Sequence, residues 1–189
     1  MLSLKKVSVD PNPFPYLEKK PPEEYIRLAL REAQKALEVD EVPVGAILVD
    51  LSSGHVVARA HNQRELLKDP TAHAEILAIT QAAAHYESWR LTEAALFVTL
   101  EPCLMCAGAI VQARIPQVFY AADDPKAGAH RSVFEVLVHP ENNHRPEVVA
   151  GIRAAESTEM LKEFFRKKRP RSPRHNGKTN GKSAGDPHT

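Results

Sequence analysis

The chain of 189 residues is 43% hydrophobic and 6% aromatic, which predicts one domain with tails and an aliphatic, alanine-rich core. No apolar run approaches the roughly 18 residues of a membrane span, which argues against a membrane protein. Prolines interrupt the N-terminus where a signal peptide needs a continuous apolar stretch, so we expect a cytoplasmic protein.

The net charge of +1 at pH 7 conceals a division between two parts of the chain. Residues 166–189 carry eight Lys or Arg and one Asp, a charge of +7, so residues 1–165 carry −6. Gly, Ser, Asn and Pro dominate the end of the basic segment, which is typical of a disordered tail. We therefore predict an extended proline-rich segment over 1–22, a folded domain over 23–169 and a basic tail over 170–189.

Hydrophobic periodicity and turn signals predict the elements of the folded domain. Apolar residues three and four apart mark helices, whereas short apolar runs bounded by turn residues mark strands. In chain order we expect a helix over 23–38, a hairpin with strands in 42–50 and 56–62, a helix from an N-cap at Thr71 to about His85, a strand over 94–100, a helix over 102–114, strands over 117–122 and 146–152, and a helix over 154–169. Strands that alternate with helices predict an α/β layered domain with helices on both faces of the sheet.

The two cysteines of the chain, Cys103 and Cys106, form a C-x-x-C pair at the predicted start of a helix. Residues three apart share one helix face, and the positive end of the helix dipole stabilises thiolates. Two thiolates and one imidazole give zinc three protein ligands, which leaves a fourth position for water, as in catalytic zinc sites. A C-x-x-C pair alone also fits a thioredoxin-like redox centre.

His73 is the candidate third ligand, and Glu75 lies two residues after it in an alanine-rich run. Residues two apart point in nearly opposite directions inside a helix, but the constraint loosens at a helix entry. Glu75 could then lie beside the water on the metal and move protons without binding the metal. A lone histidine in such a run is more often a core residue, whereas H-x-E followed by P-C-x-x-C is the pattern of zinc nucleobase deaminases.

Longer segments extend this pattern, among them "EVPVGAILV", "AHNQRE", "DPTAHAEILAI", "LFVTLEPCLMCAGAI", "RIPQVFYAADDPKAGA" and "LKEFFRKKR". Over roughly residues 24–168 the chain closely resembles the bacterial tRNA-specific adenosine deaminases (TadA-type) of the cytidine deaminase superfamily. The resemblance implies a three-layer α/β/α fold with a mixed sheet of about five strands, and a homodimer with one Zn²⁺ per subunit. It also implies conversion of the wobble adenosine in a tRNA anticodon arm to inosine.

The resemblance also implies individual roles for residues. His73, Cys103 and Cys106 match the zinc ligands, and Glu75 matches the proton shuttle. Asn62 matches a residue that contacts the flipped base, and Asp124 matches one that contacts the neighbouring nucleotide. The residues that match contacts to the anticodon are Asn143, His144 and Arg145. Those that match contacts of the C-terminal helix to RNA are Phe164, Phe165 and Arg166. Helical spacing indicates that Leu161 and one of the two phenylalanines pack on the sheet, which leaves the other free.

Two departures from the family concern the loop beside the substrate, where Ala121 and Arg131 replace residues that are usually glycine or small. If the family uses a positive φ there, Arg131 is strained or the loop has a different shape. Two other functions stay open from the sequence: a deaminase of a free base or nucleoside, and a non-catalytic RNA-binding module with a structural zinc. Glu75 argues against the second, because a structural site does not need a proton shuttle.

Overall fold

The computed structural model describes residues 15–18 and 20–169. Most of the predicted N-terminal segment and the whole predicted basic tail lie outside the described residues. Within that N-terminal segment, Pro15–Glu18 form a short 3-10 helix rather than extended chain. Tyr16 of this turn is buried, and its hydroxyl donates a hydrogen bond to Gln117 Oε1 at 2.7 Å.

Besides the 3-10 helix, the described residues form five α-helices and five strands, and the predicted α/β class is confirmed. The elements are α1 (Pro22–Glu38), β1 (Gly45–Asp50), β2 (Val56–His61), α2 (Arg64–Leu67), α3 (Ala74–His85), β3 (Ala94–Leu100), α4 (Leu104–Gln112), β4 (Gln117–Ala122), β5 (Glu147–Ala150) and α5 (Ala154–Lys168). The sequence predicted all of them except α2, which has only four residues and therefore no readable period.

The five strands form one mixed sheet in the order β2-β1-β3-β4-β5. β1 pairs antiparallel with β2 and with β3, whereas β3, β4 and β5 run parallel to one another. The parallel register places Leu100 opposite Ala122, so β3 and β4 end at the same edge of the sheet. That edge is where ligands bind in open α/β sheets.

The sheet separates two hydrophobic clusters, because successive side chains of a strand point to opposite faces. Ile47 and Phe97 pack with residues of α1 on one face, where Phe97 stacks on Phe119 with ring centroids 4.4 Å apart. Leu48 and Leu96 pack with the alanine-rich faces of α3 and α4 on the other face. α5 crosses β4 and β3 and completes the three-layer arrangement.

Gly45 permits the close contact of α1 with β1. A Cβ atom at this position would lie 2.1 Å from the carbonyl oxygen of Ala29 and 2.5 Å from the amide nitrogen of Ala33. Both atoms belong to the backbone of α1, so no side-chain rotation could relieve the overlap. The glycine is therefore required for helix packing.

The start of α3 and both ends of α4 each differ from the prediction by two residues. α3 begins later than expected, since Asp69 Oδ1 accepts hydrogen bonds from the backbone N–H and the hydroxyl of Thr71, which closes a turn. His73, with φ −76° and ψ 152°, is the N-cap of α3. α4 begins at Leu104 with Cys103 as its N-cap, and it ends at Gln112 rather than at Arg114, whose φ is 60°.

Among residues 15–18 and 20–169, no helix is long and apolar enough to cross a membrane.

Candidate active site

The N-termini of α3 and α4 meet beside the C-terminal ends of β3 and β4, and they bring together three potential metal ligands. His73 Nδ1 lies 3.6 Å from Cys103 Sγ and 3.5 Å from Cys106 Sγ. The three ligand atoms all lie within 4.8 Å of one another. His73 and Cys103 are both N-cap residues with extended backbone, and neither side chain caps its own helix. The side chains are therefore available to each other.

The arrangement fits a tetrahedral zinc ion. Typical Zn–S and Zn–N bond lengths and tetrahedral angles give a nitrogen–sulfur separation of about 3.6 Å. The two observed nitrogen–sulfur distances agree with that value, and both cysteines are free rather than joined in a disulfide. Among the described residues this is the one group of three or more His, Cys, Asp or Glu side chains positioned to hold a metal ion.

The ionisation of the two thiols also favours a metal. A hydrogen bond with Cys106, together with one from His73, lowers the pKa of Cys103 to about 4. The contact with Cys103 raises the pKa of Cys106, because the two sulfurs compete for one proton. A divalent cation removes this competition, since both sulfurs bind it as thiolates.

Glu75 lies in the first turn of α3 and is only 4% exposed. Its side chain lines the same cleft as His73 and Cys103, so the helix entry does place residues two apart around one site. Burial raises the pKa of Glu75 to about 7. A general acid–base group works best when its pKa lies near the working pH. Glu75 is therefore suited to accept and return a proton.

Asn62 follows β2 and is buried at the wall of the cleft. Its Nδ2 donates a hydrogen bond to Glu41 Oε2 at 3.1 Å, while Glu41 Oε1 accepts the backbone N–H of Leu66 at 2.8 Å. Glu41 is 1% exposed and thus fixes the orientation of the amide. The Asn62 side chain retains its oxygen and a second amide hydrogen for other partners.

The cleft that contains these residues has a volume of about 770 Å³, within the range of about 300–1,000 Å³ that is usual for ligand sites. Glu75 and Glu101 are its buried acids, Asp123 and Asp124 line its side, and five cationic side chains also line it. These are Arg64, Lys126, Lys162, Arg166 and Arg169. Cations at the rim of a cleft can bind the phosphates of a polyanion.

Phe165 extends the cleft along α5. Its side chain is 44% exposed, whereas Phe164 is 8% exposed, so one phenylalanine is buried and the other exposed, and the packing of Phe164 on the sheet itself stays a prediction. The two rings meet edge to face, with centroids 5.3 Å apart. Lys126 Nζ lies 5.7 Å from the centroid of the Phe165 ring. An exposed ring beside a cation is a common platform for an unpaired base.

Residues 123–132, which we call the wall loop, form the side of the cleft after β4. Asp124 lines the cleft, and its Oδ1 accepts the backbone N–H of Lys126 at 2.9 Å. Arg131 donates through Nε and Nη2 to the two carboxylate oxygens of Asp123, both at 3.0 Å. Arg131 is not among the described residues with positive φ, so of the two alternatives for this position, strain or a different loop shape, strain does not apply.

Asn143, His144 and Arg145 lie away from the cleft of their own chain. The side chain of Arg114 donates a hydrogen bond to Asn143 Oδ1, and His144 Nε2 contacts the carbonyl oxygen of Ile115 at 2.7 Å. Ile115 precedes β4, so this loop lies at the end of the sheet opposite the cleft. The predicted contact of these residues with RNA stays a prediction.

The sequence did not single out Glu101, which lines the cleft, or Glu41, which binds the side chain of Asn62. Glu41 and Glu101 are each 1% exposed, and their roles depend on partners far along the chain. The available signal was an acid next to a buried strand, in "EVPVG" and in "LEPC". The sequence also did not single out four cations of the rim, which as single surface charges carry no such signal: Arg64, Lys126, Lys162 and Arg169.

Comparison with known proteins places this geometry in a family. The chain matches the MafB19-like deaminase family over residues 21–169. A tRNA-specific adenosine deaminase of Agrobacterium fabrum (strain C58 / ATCC 33970) is 48% identical over 145 residues, or 77% of this chain and 94% of that protein. A tRNA-specific adenosine deaminase of Bacillus subtilis (strain 168) is 46% identical over 145 residues, or 77% of this chain and 89% of that protein.

A solved structure agrees with the sequence matches. It comes from biochemical and structural studies of A-to-I editing by tRNA:A34 deaminases at the wobble position of transfer RNA. It is 47% identical and superposes with a TM-score of 0.70, over 73% of this chain and 99% of that one. The fold, the His-Cys-Cys cluster and these matches together confirm the resemblance seen in the sequence. The chain belongs to the MafB19-like deaminases and, among them, to the tRNA-specific adenosine deaminase family.

Proposed function

We propose that the chain is a zinc-dependent deaminase that converts the wobble adenosine of a tRNA anticodon to inosine. The observation that carries this proposal is the meeting of His73, Cys103 and Cys106 with the buried carboxyl group of Glu75 in one cleft. The cationic rim and the exposed ring of Phe165 support a nucleic acid as the substrate.

His73 Nδ1 and the sulfurs of Cys103 and Cys106 would hold the zinc ion. When bound, zinc supplies a Lewis acid that lowers the pKa of a water molecule to about 7. Hydrolysis forms a bond between the oxygen of water and carbon 6 of adenine, breaks the bond from carbon 6 to the amino nitrogen, and releases ammonia. Glu75 accepts a proton from the water and passes it to N1 of the purine. It then transfers the remaining hydroxyl proton to the amino nitrogen, which leaves as ammonia while the double bond between carbon 6 and oxygen forms.

Asn62 and Phe165 are suited to hold the nucleotide. A deaminase cannot reach a base within a stack, so the target base must be turned out into the pocket. The amide of Asn62, held by Glu41, can hydrogen-bond the edge of that base. Phe165 can stack on a neighbouring unpaired base, while Asp124 lies near the path of the adjacent sugar and phosphate. Arg166 and the other rim cations would neutralise phosphates.

We further propose a homodimer with one zinc ion per chain. Leu66, Leu67 and Leu104 are exposed on α2 and α4, the elements that adjoin Asn62 and Cys103, and exposed apolar side chains are available for an interface. In a dimer, a second chain could bring its Asn143–Arg145 loop to an RNA bound by the first. Light scattering coupled to gel filtration should give twice the 21.0 kDa mass of the chain. A monomer at micromolar concentration would contradict this proposal.

We place the reaction in the cytoplasm, where thiols stay reduced.

Incubation of the purified protein with tRNA transcripts tests the reaction. Sequencing of cDNA should show an A-to-G change at the wobble position alone, and mass spectrometry of nucleosides should show inosine. Glu75→Ala should abolish both signals, whereas unchanged activity in that variant would contradict the mechanism. Parallel incubations with free guanine, cytosine and their nucleosides test the alternative, a deaminase of free bases. Binding of tRNA without inosine formation would instead indicate a non-catalytic RNA-binding module.

A further inference from the structure

The carboxylate of Glu101 accepts hydrogen bonds from both ends of the wall loop. It is 1% exposed at the end of β3 and accepts hydrogen bonds from five donors. Oε1 accepts the backbone N–H groups of His130 and Arg131, both at 2.9 Å, and of Ser132 at 3.1 Å. Oε2 accepts the backbone N–H of Asp124 at 3.0 Å and the hydroxyl of Ser132. One side chain therefore binds both ends of the wall loop, at residue 124 and at residues 130–132.

A second observation shows that the loop is built around this carboxylate. A Cβ atom at Gly128 would lie 2.3 Å from Glu101 Oε2 and 2.7 Å from the carbonyl oxygen of Asp124. Gly128 has no positive φ, so a glycine is needed here for space rather than for conformation. Gly128 also forms an isolated antiparallel bridge with Cys103. The loop thus rests directly on the segment that carries a candidate zinc ligand.

We propose that Glu101 is a positioning residue for the deamination: its carboxylate fixes the wall loop to the Cys103 segment and thereby sets where Asp124 meets the substrate. This inference rests on the proposed function, because it assigns Glu101 a part in binding the RNA. Glu101 acts through Asp124, and neither metal binding nor proton transfer requires it. Its loss should therefore weaken substrate binding more than it slows the chemical step.

Glu101→Gln separates the two ends of the loop. An amide has one acceptor oxygen, and three N–H groups converge at the Oε1 position, so the amide oxygen should occupy that position. The amide NH2 then occupies the Oε2 position, where the Ser132 hydroxyl can turn to accept but the Asp124 N–H cannot. The variant should release Asp124 and keep His130 to Ser132 in place. Ser132→Ala is the matched control, because it removes one donor and leaves the Asp124 hydrogen bond intact.

Steady-state kinetics on an anticodon stem-loop provide the first readout. Loss of a substrate contact that is equally strong in the ground state and the transition state raises KM alone, and a hydrogen bond to a charged group corresponds to a factor of about ten or more, so we expect Glu101→Gln to raise KM about tenfold or more. We expect its kcat and zinc content to stay near those of the wild type, and Ser132→Ala to change KM less than about twofold. In Gly128→Ala the added Cβ atom would overlap Glu101 Oε2 and displace the carboxylate, so this variant should reproduce the increase in KM. An unchanged KM in a folded Glu101→Gln variant, or loss of kcat together with zinc, would overturn the proposal.

A double-mutant cycle and hydrogen exchange complete the test. If Glu101 acts through Asp124, the effects of Glu101→Gln and Asp124→Ala on KM should be less than additive, and full additivity would overturn the proposal. Hydrogen exchange needs no activity: Glu101→Gln should lose protection at the Asp124 amide and retain it at residues 130–132. Unchanged protection at Asp124 would refute the contact itself. Wild-type protein that binds tRNA but forms no inosine would instead refute the proposed function, whatever the exchange result.

Discussion

Replacement of Phe165 by alanine, compared with the same change at Phe164, tests whether α5 contributes to RNA binding. The neighbouring residues have the same chemistry but different environments, since Phe165 is 44% exposed in the cleft and Phe164 is 8% exposed. Loss of base–aromatic stacking costs about 1–3 kcal/mol. Since about 1.4 kcal/mol is a factor of ten, KM for an anticodon stem-loop should rise by about 5-fold to about 140-fold in Phe165→Ala. We expect little change in its kcat.

Phe164→Ala should show the opposite pattern. Truncation of a buried phenylalanine costs about 3–5 kcal/mol of the free energy of unfolding. For a chain of this size each kcal/mol corresponds to about 2–4 °C, so the melting temperature should fall by about 6 °C or more. Phe165→Ala, which removes an exposed ring, should destabilise the protein by less than about 1 kcal/mol. Calorimetry and steady-state kinetics on both variants give these values. A KM for Phe165→Ala equal to that of the wild type would refute the assignment of Phe165 as an RNA platform.

Three further predictions concern the wall loop, the sheet and the rim of the cleft. Arg131→Ala removes the ion-pair partner of Asp123 beside the proposed path of the RNA, so KM should rise several-fold. The free energy of unfolding should change by less than about 1 kcal/mol, as for other exposed ion pairs. An unchanged KM contradicts this role. Gly45→Ala should lower the melting temperature strongly, because its Cβ would overlap the backbone of α1. The control Gly108→Ala has open space around its Cβ and should stabilise α4 by about 0.5–1 kcal/mol. Equal melting temperatures of the two variants would show that α1 can move away. Arg166→Gln should reduce the slope of log K for single-stranded RNA against log salt by about 0.7, whereas Arg31→Gln, outside the cleft, should leave the slope unchanged.

The sequence predicted the core elements because the strands and the amphipathic helices have clear periods. It also predicted the His-Cys-Cys cluster, since each ligand lies beside a turn signal that marks the start of a helix. The exact helix start was wrong at Thr71, where a good N-cap residue is instead bound by Asp69. Thr71 can either cap a helix or be bound by Asp69 in a turn. Tertiary contacts decide between these two hydrogen-bond patterns, and a local sequence pattern does not contain them.

The contacts that support the site were largely out of reach of sequence reasoning. Glu101 meets donors 23 to 31 residues away, and Glu41 meets Asn62 21 residues away. Neither pairing follows a helical or strand period, so it becomes visible only when the loops are in place. The ion pair of Arg131 with Asp123 likewise gives a physical reason for a residue that looked out of place in the sequence.

Zinc content and inosine yield, determined on the same preparations of wild-type protein and Glu75→Ala, show whether a metal and a proton-transfer group act together at this site. We expect about one zinc ion per chain in both proteins, as for a catalytic site with three protein ligands. We expect wobble inosine from the wild type only. Wild-type protein that forms inosine without a bound divalent metal, or a Glu75→Ala variant that deaminates at the wild-type rate, would contradict the proposed mechanism.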